Sequence, residues 1–122
     1  MPNYLEYFGV GASRYDLAHY FTKSPVGSGG GLGACCVCMN QDGGKTQGGT
    51  GMENPSGDNY NVDYVAHEIG HQFGQGHTFT GIKGQCGGNF DNRQAVEVGA
   101  GRTIVRCRYP CTRPPTSVYF GA

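Results

Sequence analysis

The chain has 122 residues, nine Lys plus Arg against nine Asp plus Glu, and hydrophobic residues at 37% with no tryptophan. That length bounds it to one small domain, and a net charge of zero argues against a nucleic-acid or membrane-surface partner. Twenty-three glycines and a thin core predict many tight turns and a need for staples, whether disulfide or metal.

The opening "NYLEYFGVGASRYDLAHYFT" mixes aromatics with alternating polar residues and predicts short strands near residues 3–9 and 15–22. "KSPVGSGGGLGACCVCMN" passes from a proline and glycine loop into a small-residue strand near 32–39. "QDGGKTQGGTGMENPSGDN" reads as an irregular loop of almost twenty residues, a length that in compact domains goes with function or mobility. One helix is predicted over about 61–73, where Val62, Val65, Ala66, Ile69 and Phe73 form an apolar face at three- and four-residue spacing. Asn59 or Asn61 is its expected cap, Asp63 suits the positive end of its dipole, and Gly74 stops it. Past His77 come short strand-like pieces, "QAVEV" and "RTIVRC", so 78–122 reads as an irregular C-terminal subdomain of a single domain, 1–122. That end is the more basic one. Residues 81–122 carry six basic side chains against two acidic ones, which reads as a solvated surface.

Six cysteines (Cys35, Cys36, Cys38, Cys86, Cys107, Cys111) in a short chain predict a secreted, extracellular protein. They allow fifteen pairings, among which sequence does not choose. An early cysteine of the 35/36/38 cluster and a pair drawn from the later three are the candidates. "MPNYLEYFGV" lacks the basic start and apolar run of a secretion signal, which points to a processed or excised piece of a longer chain. No stretch approaches the roughly 20 apolar residues of a membrane span.

Three of the four histidines fall within "VAHEIGHQFGQGH", residues 65–77. At about 100° per residue, His67 and His71 point within about 40° of each other on one helix face, beside Glu68. Gly74 permits a sharp turn with positive φ that brings His77 back toward the same point. Three neutral imidazoles with an open fourth position are the catalytic zinc pattern. Glu68 would then be a base near a zinc-bound water and not a ligand. His19, alone in a strand-like segment, reads as a packed or surface residue. A calcium site among Asp42, Glu53, Asp58 and Asp63 is set against the simpler reading of a solvated acidic loop.

His67, Glu68, His71, Gly74 and His77 match H-E-x-x-H-x-x-G-x-x-H, and the chain thereby resembles the metzincin metalloproteases. "YDLAHYFT", "GGGLGACCVC", "VDYVAHEIGHQFGQGHTF" and "GQCGGN" resemble the reprolysin (adamalysin) branch, particularly its bacterial reprolysin-like members, over about residues 15–111. The resemblance implies an α+β, zincin-like catalytic domain, small or N-terminally incomplete, with one active-site helix and a short mixed sheet. It implies a zinc-dependent endopeptidase that is a monomer and acts on peptide or protein substrates. His67, His71 and His77 would bind zinc, and Glu68 would be general base and acid. Gly31, Leu32, Gly33 and Ala34 would hydrogen-bond the substrate backbone along an edge strand.

Two residues depart from the family pattern. Thr78 stands where adamalysins have aspartate, and Val105 in "RTIV" stands where relatives place a methionine beneath the metal, which predicts a weaker site. Both ends of the chain also depart from the ordinary family domain. A truncated or altered reading frame explains them, and so does a divergent minimal domain. The alternatives to an enzyme are a non-catalytic zinc-binding relic and a disulfide-stapled secreted binding module. Zinc content separates the last from the others, and peptidase activity separates the first two.

Overall fold

The computed structural model describes residues 8–23, 29–34, 37 and 44–107. They group into two compact units that divide between Gln75 and Gly76.

In the first unit three short strands form a mixed sheet in the order β1-β3-β2. β1 (Tyr20–Thr22) runs parallel to β3 (Gly48–Gly51), and β2 (Gly30–Gly33) runs antiparallel to it. With one helix beside it, this is the expected α+β, zincin-like arrangement, but the strands differ from those expected. β1 keeps only the last three residues of 15–22, and a 3₁₀ turn, Ala12–Arg14, precedes that stretch. β2 starts two residues early, and Cys35, Cys36, Cys38 and Met39 of the expected 32–39 strand lie outside the described residues, as do residues 1–7.

β3 corrects the reading of 41–59 as an irregular loop. Glycine is a poor strand former, and a Gly-Gly-Thr-Gly strand carries no propensity signal. What makes these residues a strand is what covers them. A side chain at Gly48 would collide with the Gln72 carboxamide on one face, and one at Gly49 with the Tyr20 ring on the other. Glycine is required there so that helix and aromatic ring can both close on the backbone.

The helix, α1, runs from Gly57–Tyr60 through a π-helical middle, Asn61–Ala66, into His67–Gln72. It begins earlier than expected: Ser56 holds the N-cap position, Asp58 lies in the first turn, and Asn59, Asn61 and Asp63 are inside. The buried face also differs. Tyr60, Tyr64 and Gln72 are buried, whereas Val62 is 43% and Phe73 54% exposed. The π turns explain this. An α turn carries a residue four positions on slightly past full circle, and a wider π turn leaves it slightly short. Over the mixed helix the two offsets compensate, so positions 60, 64, 68 and 72 stay in one column against the sheet. A regular 3.6-residue period therefore selects the wrong stripe. Among the described residues no helix is long and apolar enough to cross a membrane.

Phe73 leaves the helical conformation and Gly74 turns left-handed at φ 94°. The Gly74 amide donates to the His71 carbonyl (2.9 Å) and the Gln75 amide to that of Gly70 (3.0 Å), the paired bonds of a Schellman stop. An L side chain in this conformation costs about 1–2 kcal/mol. Gly74→Ala is therefore expected to lower unfolding stability by about that amount in urea titration. An unchanged midpoint would show that the turn is not strained by a side chain.

In the second unit Phe79, Cys86 and Cys107 are buried together, with Ala100 against them. A disulfide joins Cys86 to Cys107 across 21 residues. A cross-link of that span contributes roughly 3 kcal/mol, a large share for so small a core. Cys111 and the early cysteines lie outside the described residues. The strand-like pieces are mostly turns. "QAVEV" makes one bridge, Phe79 with Glu97, and exposes Val96 (80%) and Val98 (66%). "RTIVRC" is a succession of bends held by the Glu97 carboxylate, which accepts the Arg102 and Thr103 amides (3.2 and 3.1 Å).

Candidate metal centre

His67 and His71 lie one turn apart on the regular end of α1. Their rings meet edge to face at 4.7 Å, and their Nε2 atoms are 3.1 Å apart. His71 donates its Nδ1 proton to the Gln75 carbonyl, 2.6 Å away. A carbonyl only accepts, so this bond fixes the tautomer and puts the His71 lone pair on Nε2. His77 is held in the same way. Its Nδ1 donates to the Asn89 carbonyl (2.6 Å), and its ring tilts against Phe79 at 5.0 Å. A side chain at Gly76, just before it, would meet the Asp91 carboxylate, and the Gly76 amide donates to Gln94 Oε1 (2.7 Å).

Each of the three imidazoles offers one nitrogen, and these nitrogens all lie within 4.8 Å of one another. Nitrogens bound at about 2.05 Å to one tetrahedral zinc are about 3.3 Å apart, so the His67–His71 spacing already suits one ion. The donor set also suits it, being three half-buried imidazoles, two of them oriented by backbone carbonyls. Among the described residues Glu53, Asp58 and Asp63 belong to no comparable group, and Asp42 lies outside them.

Glu68 projects toward the sheet. Burial pushes its carboxyl up to about 7, while the Gly33 amide, which donates to it, acts in the opposite direction. β2 passes so close that a side chain at Gly31 would meet the Glu68 carboxylate, and one at Gly33 the Glu68 backbone and His71 Cβ. The Ala34 amide donates to the Gln47 carbonyl (2.9 Å). Backbone groups alternate sides along a strand, so those of Leu32 and Ala34 are turned to β3 and those of Gly31 and Gly33 to the outer edge. The four residues named from sequence thus divide into two pairs.

The shift on Glu68 has a consequence for the metal-free protein. A carboxyl raised in the fold adds stability that is complete below about 4.5 and is lost as pH rises through about 7. The carboxyls of Asp91 and Glu97 are lowered, chiefly by the Arg93 amide and the Thr78 hydroxyl, so they lose their contribution only under acid. Chelator-treated protein is therefore expected to be less stable at pH 8 than at pH 5.5 by about 1 kcal/mol, discounted for partial exposure. Glu68→Gln should flatten that difference in urea titrations. A difference that survives the substitution would place the titrating group elsewhere.

Sequence reasoning missed two supports. Gln72, inside the histidine motif, is fully buried and bonds His19 and the Ala18 carbonyl. Glu97 accepts from the hydroxyls of Thr78 (2.5 Å) and Thr103 (2.8 Å). Thr78 also donates its amide to the Val105 carbonyl (3.2 Å), and Val105 is buried. Glu97 thereby ties the residue after His77 to the 102–105 bend. The lone acidic residue of "QAVEV" was the available signal.

The description "Metallo-peptidase family M12B Reprolysin-like" matches residues 6–78, more than half of the chain. The chain belongs to this reprolysin-like metallopeptidase family. Comparison with curated proteins and with solved structures gave no match. The reprolysin-like match covers the sheet, α1 and the whole histidine motif, and it ends one residue after His77. Membership agrees with what the side chains offer, a three-histidine cluster suited to zinc.

Proposed function

We propose that the protein is a zinc-dependent endopeptidase in which His67, His71 and His77 hold the ion and Glu68 serves as general base and acid. The observation that carries this reading is the convergence of three imidazole nitrogens within 4.8 Å of one another. The ion, when bound, supplies a Lewis acid that polarises the scissile carbonyl and acidifies water. Glu68 takes the proton from the attacking water and returns it to the leaving amine. A carboxyl lifted to about 7 by burial has the proton affinity suited to both transfers near neutral pH.

The substrate is an extended peptide that adds to the outer edge of β2, pairing with the backbone of Gly31 and Gly33. Gly33 now donates to Glu68. A peptide carbonyl arriving at that amide replaces the carboxylate as acceptor and leaves it to the water. The Cys86–Cys107 bridge supports an oxidising, extracellular setting. Thr78 after the third histidine favours the bacterial branch of the family. The test is cleavage of an unfolded protein substrate by zinc-loaded enzyme, with and without chelator. Loss with chelator and return with zinc are expected. Intact substrate from a fully zinc-loaded chain would make it a zinc-binding relic.

A further inference from the structure

We infer that His19 is a positioning residue for the metal centre, setting the rotation of α1 about its own axis through the Gln72 carboxamide. This rests on the zinc reading above. Gln72 follows His71 directly and is 0% exposed, a polar side chain where an apolar one would cost less to bury. Both ends of its amide are held. Oε1 accepts from His19 Nδ1 (2.8 Å), and Nε2 donates to the Ala18 carbonyl (3.1 Å). His19 is held in turn: in the neutral ring, Nε2 accepts from the Thr50 hydroxyl (2.7 Å), itself 1% exposed. The chain Thr50–His19–Gln72 thus links the central strand to the last turn of the helix.

The need for such a link lies in the glycines. α1 packs on Gly31, Gly33 and Gly48, a nearly smooth backbone surface. Helix rotation is ordinarily set by side-chain ridges seated in grooves, and this surface offers few. A directional, fully satisfied polar network fixes the angle instead. At a side-chain radius of about 5–6 Å, a rotation of about 10° moves a ring nitrogen by about 1 Å, more than the ~0.5 Å a site tolerates. His67, Glu68 and His71 would all move with it.

The experiment is a zinc titration against a chromophoric chelator, with urea unfolding in parallel, for wild type, His19→Phe, Thr50→Val and the triple variant His19→Phe/Thr50→Val/Gln72→Leu. His19→Phe strands two buried polar groups, so it is expected to lose stability and to bind zinc about 10- to 100-fold more weakly. Thr50→Val should weaken binding less. The triple variant removes the three polar side chains together and leaves only the half-buried Ala18 carbonyl without its donor, so most of its stability should return while zinc binding stays weak. That split marks positioning, and if His19→Phe does not fold, the triple variant shows it alone. Zinc affinity that recovers with stability, or that never falls, overturns the inference. Wild type that takes up no zinc overturns the underlying site as well.

Discussion

Glu68→Gln is expected to cut peptide hydrolysis by 10²- to 10⁴-fold while zinc content stays at the wild-type level. The carboxamide keeps the size of the side chain and the acceptor for the Gly33 amide, but it cannot take a proton from water at neutral pH. The fall should be in kcat with little change in KM, because the lost interaction arises only in the transition state. Steady-state kinetics on one peptide, with zinc measured on the same sample, decide it. A variant that retains a tenth or more of the activity would remove Glu68 from the proton transfers. One that loses its zinc as well would show a different role.

His77→Ala has the second large expected effect, on the metal. Loss of an outer-shell partner costs about 10- to 100-fold in affinity, and loss of a ligand should exceed that range. His77 lies beyond the Gly74 turn, is anchored by the Asn89 carbonyl, and is not part of α1. Its removal should therefore leave the helical signal in circular dichroism unchanged. His67→Ala should weaken zinc comparably. Zinc affinity within tenfold of wild type after His77→Ala would reduce the centre to a two-histidine site.

The histidine motif was legible because its chemistry is local. Three imidazoles, a carboxylate and a glycine stand at fixed offsets within eleven residues, His67 to His77. The turn at Gly74 needs nothing beyond the steric freedom of glycine. What surrounds the motif was less legible, for three separate reasons. β3 is built of residues without strand preference and exists because Tyr20 and Gln72 close on it from either side. The buried face of α1 follows its π turns, and no periodicity rule that assumes 3.6 residues per turn anticipates Tyr60, Tyr64 and Gln72 as the covered column. The hydrogen bonds of His19 span 31 and 53 residues of sequence, so a lone histidine gave no sign of them. Glu97 likewise acts on Thr78 and Thr103 through bonds that only the folded second unit creates.

Cysteine gives the account its sharpest competitor. Cysteines outside the Cys86–Cys107 bridge could also bind zinc, and the sulfur signature differs from that of imidazole. X-ray absorption at the zinc edge on stoichiometrically loaded protein separates the two directly. The expected spectrum has three imidazole nitrogens and one further light atom at about 2.0–2.1 Å and no sulfur. Sulfur at about 2.3 Å, or failure of the chain to hold one zinc, would contradict the three-histidine centre.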